Sequence, residues 1–375
     1  MTPHDLVIDA LAALLRGEEV PLRARGLSSA DLYDACIAED VAGLVQEQIG
    51  GAPHRCDLSQ DVREALRRRT RTAAALESVR QREIVTAIDR LASEGVHPIL
   101  VKGTPLAYSV YKAPSSRPRS DTDFFIRRDE VDAVRRVMRT LGYTEPLLCD
   151  GELLFCQFQI QRQDARRVTH VFDVHWKIST QSVFADLLTH DELSACATPV
   201  PALGPHARAA GPLHALLIAC IHPVMHHRNI ERLLWIYDIH LLAGRLSDAE
   251  FDQFASLASS KAVAAAAGHG LALARTRLGT RIPDRVIATL DELGRAEPSA
   301  DYLKPDRHWK DEFVSSIRGL PRWQDRLRLL REVALPSPRY MLAAYGFGKP
   351  ATPLLPILYL HRLLNGGWKG LTGRK

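Results

Sequence analysis

Three short runs decide the fold: Ile99-Leu-Val-Lys-Gly-Thr104, Arg119-Ser-Asp-Thr-Asp-Phe-Phe-Ile126 and Thr169-His-Val-Phe-Asp-Val-His-Trp176. Each has the apolar and β-branched content of a strand. The second and third carry acids or histidine at alternating positions. Residues two apart in a strand share a face. Asp121 and Asp123 therefore project together, and Phe124 and Ile126 begin the buried part of the strand. Asp173 lies in the third run and joins them if the two strands are neighbours. Three converging carboxylates make a hard, oxygen-rich site suited to Mg²⁺, with Mn²⁺ as the alternative, and unsuited to zinc.

Working upstream, residues 1–50 read as helical, with Leu6, Leu11, Leu14 and Leu15 as an apolar stripe. A second helix starts near Ser28-Ser-Ala-Asp31, where Ser or Asp can cap it. Gly50-Gly-Ala-Pro53 is a break. A long helix follows from Leu58 to Glu94, with Leu66, Ala73, Leu76, Ile84, Ile88 and Leu91 on its apolar face and Gly95 as its stop. It delivers the chain into a strand at 96–101. Gly103 and Thr104 open a short helix through Tyr111, with Thr104 as N-cap and Pro105 at its first position. A helix over 130–141 ends at Gly142. Leu153 to Gln161 reads as a strand, Asp164-Ala-Arg-Arg167 as a hairpin-like turn, and Val168 to Ile178 as the next strand.

Downstream, Thr198-Pro-Val-Pro-Ala-Leu-Gly-Pro205 reads as a linker and an internal boundary. The remainder is helical: 213–243, 248–268, 271–278, 283–295, 323–333, 339–345 and 357–364. The expected class is α+β. An N-terminal helical segment spans 1–94, a mixed-sheet α/β core 95–182, and a C-terminal all-helical domain 183–375.

Composition sets limits. The chain has 375 residues, 46% hydrophobic and 25% charged, which suits a globular protein. A net charge of +5 is too mild to select RNA as a partner. Six scattered cysteines without a Cys-x-x-Cys pair point to free thiols in a reducing compartment. The N-terminus has no basic-then-apolar pattern, and no run approaches the roughly 18 apolar residues that span a bilayer. A cytoplasmic protein without stable membrane insertion is expected.

The central stretch suits a nucleotide. Glycine at a strand-to-helix turn admits close backbone approach, and free N–H groups there hold phosphate oxygens. Gly103 and Thr104 occupy that turn, and Lys102, Arg117 and Arg119 can neutralise phosphate charge. The chemistry needs placement and electrostatics, so a nucleophilic Ser or Cys is not required.

These features resemble the nucleotidyltransferase superfamily, the fold of DNA polymerase beta and the antibiotic nucleotidyltransferases. The closer resemblance is to the bacterial uncharacterised nucleotidyltransferase family. It is carried by Val101-Lys102-Gly103, Tyr108 or Tyr111, Arg117 or Arg119, Asp121-Thr-Asp123 and Asp173-Val-His175-Trp176. It extends through His222, His226, Trp235 and Asp238 to the Pro-Ser-Pro-Arg-Tyr-Met segment at 336–341. Gly-Thr stands in place of the superfamily's Gly-Ser or Gly-Gly, and Asp121 lies further from Gly103 than the superfamily's usual spacing.

The resemblance implies an NTP substrate, a divalent metal on Asp121, Asp123 and Asp173, and transfer of an NMP to a hydroxyl. A small molecule, a peptide or protein, and a tRNA end all fit as acceptor. His175, His222, His226 and Arg232 are candidate cleft residues. Three rivals remain: a metal-dependent phosphohydrolase centred on His222, His226 and Asp238, a non-catalytic nucleotide- or RNA-binding protein, and a kinase-like γ-phosphoryl transferase.

Overall fold

The computed structural model describes residues 2–145, 156–304, 311, 314, 317, 320, 322–347 and 349–372. Cys149 and the start of the expected 153–161 strand lie outside them. The first elements are α1 (Pro3–Leu15), α2 (Ser29–Ala38), α3 (Ala42–Gly51) and α4 (Gln60–Ser93). Next come β1 (Ile99–Val101), α5 (Gly103–Ser109), β2 (Thr122–Phe125), α6 (Val131–Thr140), β3 (Gln157–Gln163) and β4 (Thr169–His175). Two short helices follow, α7 (Ser182–Ala185) and α8 (His190–Ala195), then β5 (Thr198–Pro199) and β6 (Arg208–Ala209). Among the described residues the strands form one mixed sheet in the order β3-β4-β2-β1-β6-β5. The fold is α+β, as the sequence indicates.

The chain divides into two compact units, Met1–Asp123 with Leu193–Lys304, and Phe124–Glu192 with Pro305–Lys375. In the first, α1 and α2 begin with reciprocal caps, Thr2 with Asp5 and Ser28 with Asp31. α4 buries Val62, Leu66, Ile84, Ala87, Ile88 and Leu91, and stops at Gly95, whose φ of +78° is left-handed. β1 is fully buried and pairs in parallel with β6, Ile99 opposite Arg208 and Leu100 opposite Ala209. β5 and β6 are antiparallel, so the segment read as a linker, 198–205, begins with a sheet strand and a second follows just beyond it. At two residues each they are too short to show a period.

The helices that close this unit are α9 (Pro212–His226), α10 (Leu233–Ala243), α11 (Asp248–Ser260), α12 (Ala264–Leu278) and α13 (Asp284–Gly294). The expected single helix over 213–243 is two, because Arg228 and Asn229 turn the chain at φ of +51° and +55°. The second expected break moves to Ala262, at φ +53°.

In the second unit, β3 and β4 pair antiparallel across the Asp164–Arg167 turn, placing Gln159 opposite Asp173. Phe124 of β2 stacks on Phe172 of β4 at 4.9 Å, and the Ile126 N–H donates to the His175 carbonyl at 2.8 Å. The aromatic pair contributes about 0.5–1.5 kcal/mol beyond its buried area. Helices at Trp323–Ala334, Pro338–Ala344 and Leu355–Thr372 follow, with Met341, Leu342 and Leu358 as a small core.

Gly211 precedes α9 and seats it. A Cβ there would lie 2.4 Å from the Cys196 carbonyl oxygen, a backbone atom that cannot swing aside. Gly211→Ala should therefore lower stability by about 1–3 kcal/mol, read as a shift in the urea midpoint. An unchanged midpoint would mean that α9 is free to move at its start.

Candidate active site

The first unit contains a cleft of about 760 Å³ at the β1–α5 turn. Its walls include Lys102, Gly103, Arg117, Arg119, Asp121 and Asp123, and, from the α9 and α10 side, His222 and Arg232. The chain enters the turn through Lys102, whose φ of +57° is left-handed. A non-glycine residue in that region costs about 1–3 kcal/mol. Lys102 is the N-cap of α5, so the expectation of Thr104 as cap is corrected. Thr104 is buried, and its hydroxyl donates to the Asp121 carbonyl at 3.4 Å and shares a hydrogen bond with the Thr122 hydroxyl at 3.2 Å. It ties the start of α5 to the acidic strand.

The cations of the motif each meet a carboxylate. Lys102 Nζ lies 2.6 Å from Asp123 Oδ1, with both side chains buried or nearly so. Arg117 donates to Asp238 of α10 through Nη2 at 2.6 Å and Nε at 3.2 Å, and the Tyr111 hydroxyl donates to the same carboxylate at 2.6 Å. Burial alone would lower the Arg117 guanidinium, but the Asp238 charge and its hydrogen bonds outweigh it and raise it above its ordinary value. Arg119 bonds Glu77 of α4, and the Tyr108 hydroxyl donates to that same carboxylate.

Gly103 makes room for this arrangement. A Cβ on it would stand 2.8 Å from Arg117 Nη1, in a guanidinium already fixed by Asp238.

Facing these groups is an aromatic corner. His227 stacks on Trp235 with centroids 4.3 Å apart, and His222 meets the Trp235 ring edge-on at 5.4 Å. Burial, then the nearby Lys102, holds His222 well below the ordinary imidazole value. His226 sits 5.7 Å from His222, centroid to centroid, but off the cleft wall. Arg232 pairs with Asp40 at 3.1 Å and donates to the Ala38 carbonyl at 3.0 Å.

In the second unit, Asp173 of β4 accepts from the Gln159 amide at 2.9 Å, and His175 is buried two residues on. Their ligand atoms lie within 4.8 Å of each other.

Two residues of this region escape a sequence reading. Glu77 and Arg80 of α4 interrupt the apolar stripe between Ala73 and Ile84, and a buried glutamate on that face is the signal that points to them.

The chain belongs to the uncharacterised nucleotidyltransferase family, which matches residues 27–279. No curated protein matches the sequence. Among solved structures, JHP933 from Helicobacter pylori matches at 14% identity and a TM-score of 0.29, over 64% of this chain and 95% of that one. A likeness of that size informs neither the fold nor the site.

Removing the partner of a buried charge costs about 3–5 kcal/mol. Asp238→Ala should lose that much in urea unfolding, and Asp238→Asn less, since it keeps an acceptor for Arg117. Equal stability of all three proteins would refute the ion pair. A second expectation concerns acid. His222, His227, His240 and His269 all lie below their ordinary value through burial. As pH falls through about 6.5, the unfolded chain gains protons that the folded chain refuses. Stability should be full above about pH 7 and fall toward pH 5, with a shallower fall in His222→Gln.

Proposed function

We propose that this protein is a Mg²⁺-dependent nucleotidyltransferase that moves an NMP from an NTP to a hydroxyl-bearing acceptor, releasing pyrophosphate. The observation that carries this reading is the single cleft shared by Lys102, Gly103, Arg119, Asp121 and Asp123. On this reading a nucleotidyltransferase core spans 95–182, between an N-terminal helical segment, 1–94, and a C-terminal helical domain, 183–375.

The donor set suits a hard divalent cation. On this reading Asp121, Asp123 and Asp173 would offer carboxylate oxygens to it, with His175 two residues beyond Asp173 on β4. The Lys102 ammonium on Asp123 marks that carboxylate as a group that takes a positive partner. Mg²⁺, or Mn²⁺, bound to these residues supplies Lewis-acid stabilisation of the phosphate oxygens and the acceptor oxygen.

The remaining work falls to the chain. Lys102 and Arg119 bind triphosphate oxygens, and Gly103 leaves the backbone open to them. Thr104 holds Asp121 in place through its carbonyl, and Arg117 shapes the wall. The acceptor oxygen bonds to the α-phosphorus as the bond to the pyrophosphate oxygen breaks, and the acceptor proton passes to Asp173. His222 and Arg232, on the cleft wall, would face the acceptor, with His226 behind His222. Among the described residues no helix is long and apolar enough to cross a membrane. A cytoplasmic setting is part of this proposal.

The test uses the four NTPs labelled at the α-phosphate, Mg²⁺, and cell extract as acceptor source. Label transfer and pyrophosphate release should fall at least about 100-fold in Asp121→Ala and Asp123→Ala, with circular dichroism unchanged. Variants as active as the parent would sink the metal assignment. Transfer of γ-label with NDP release would replace the reading with phosphoryl transfer, and nucleotide binding without turnover with a binding role. Bound zinc or manganese lost in His226→Ala would turn attention to hydrolysis at the histidines.

A further inference from the structure

α4 contributes two residues to the cleft region that no motif contains. Glu77 and Arg80 are one turn apart, so they share a face of the helix. Arg80 lines the cleft with Arg119 and Asp121. The Arg119 side chain is 4% exposed. Its Nη2 is engaged by Glu77, whereas its Nη1 is buried and has no hydrogen-bond partner. A buried donor left without an acceptor costs about 1–3 kcal/mol. Arg80 makes no hydrogen bond or ion pair with any described residue. Glu77 and Asp121 act on it only through space, and burial and the Arg119 charge both disfavour its cationic form.

Arginine does not escape such surroundings by losing its proton. The wall therefore holds two guanidinium groups against one directly bonded carboxylate, with an orphan N–H on one and the whole fork of the other unused. Glu77 is itself fixed by Tyr108, so Arg119 is held ready and does not relax toward another acceptor. An anion with several oxygens satisfies both groups at once, since guanidinium forks match phosphate oxygens two at a time. A single carboxylate would engage only one fork.

We propose that Arg80 and Arg119 form a subsite for a diphosphate group, with Glu77 as the residue that positions Arg119. The subsite rests on the transferase reading only for the source of that diphosphate, the tail of an NTP or released pyrophosphate.

The experiment measures binding, without turnover, by calorimetry on the full chain at fixed ionic strength. The probes are inorganic pyrophosphate, ATP and AMP. Arg80 is part-exposed, so Arg80→Gln is chosen over substitution of buried Arg119. Arg80→Gln should weaken pyrophosphate roughly tenfold or more and leave AMP unchanged. Arg80→Lys should fall between the two, keeping charge without the fork. A parallel loss for ATP assigns the subsite to the NTP tail as well, and loss for pyrophosphate alone assigns it to the product. Arg67→Gln, on an exposed stretch of the same helix, should bind as the parent does. Pyrophosphate binding unchanged in Arg80→Gln, or AMP weakened equally, would overturn the proposal. Failure of label transfer leaves these affinities untouched, so the two readings fail separately.

Discussion

The buried pair of Arg117 and Asp238 is the constraint on which the cleft depends. It joins a loop residue before the acidic strand to the middle of α10, 121 positions along the chain. Taking both charges out of water costs several kcal/mol per ion, and that cost is offset only by close geometry and additional hydrogen bonds. Both are present: two contacts from the guanidinium, and a third to the carboxylate from Tyr111. The pair in turn requires Gly103 to lack a side chain. A glycine that reads as an opening for phosphate thus has a second, local reason to be glycine. Asp238 is thereby tied to Arg117 and Tyr111.

The same pairing repeats around the cleft. Lys102 has Asp123, Arg117 has Asp238, and Arg119 has Glu77. Clustered cations in a poorly solvated wall repel one another strongly, because the local dielectric is low. Matching each with an acid holds it in position before any ligand arrives, so little reorganisation remains for the bound state. Arg80 stands outside this scheme, and that is why it marks a place for an external anion.

Legibility followed the length of each element. α4, with its apolar stripe and Gly95 stop, was readable within two residues at each end. The acidic strand was readable from alternation, although only Thr122–Phe125 pairs as a strand. β5 and β6 were not readable, since two residues show no period and β5 lies among prolines that look like linker. The divisions at 227–232 and at Ala262 were hidden because Arg228, Asn229 and Ala262 adopt left-handed backbone without the glycine that usually announces it. In the site, the Lys-Gly-Thr and Asp-x-Asp residues were legible as a local motif. The acids matched to Arg117 and Arg119 were not, because those contacts join residues 121 and 42 positions apart. Long-range pairing leaves no local period, only an acid on a face that should be apolar.

A division of labour among ionisable groups follows. The groups that keep their charge at any ordinary pH, the guanidiniums of Arg80, Arg117 and Arg119, are gathered in the cleft wall. The two histidines of the cleft wall, His222 and His227, are held below their ordinary value, chiefly by burial. His222 is held neutral, and the Cys220 thiol, two residues away on α9, is pushed up and stays protonated. A thiol kept protonated is a poor nucleophile. An imidazole far below its ordinary value adds no positive charge to compete with Lys102 for Asp123. What remains is a set of fixed charges around one cavity, an arrangement that acts by placement and electrostatics and not through a covalent nucleophile.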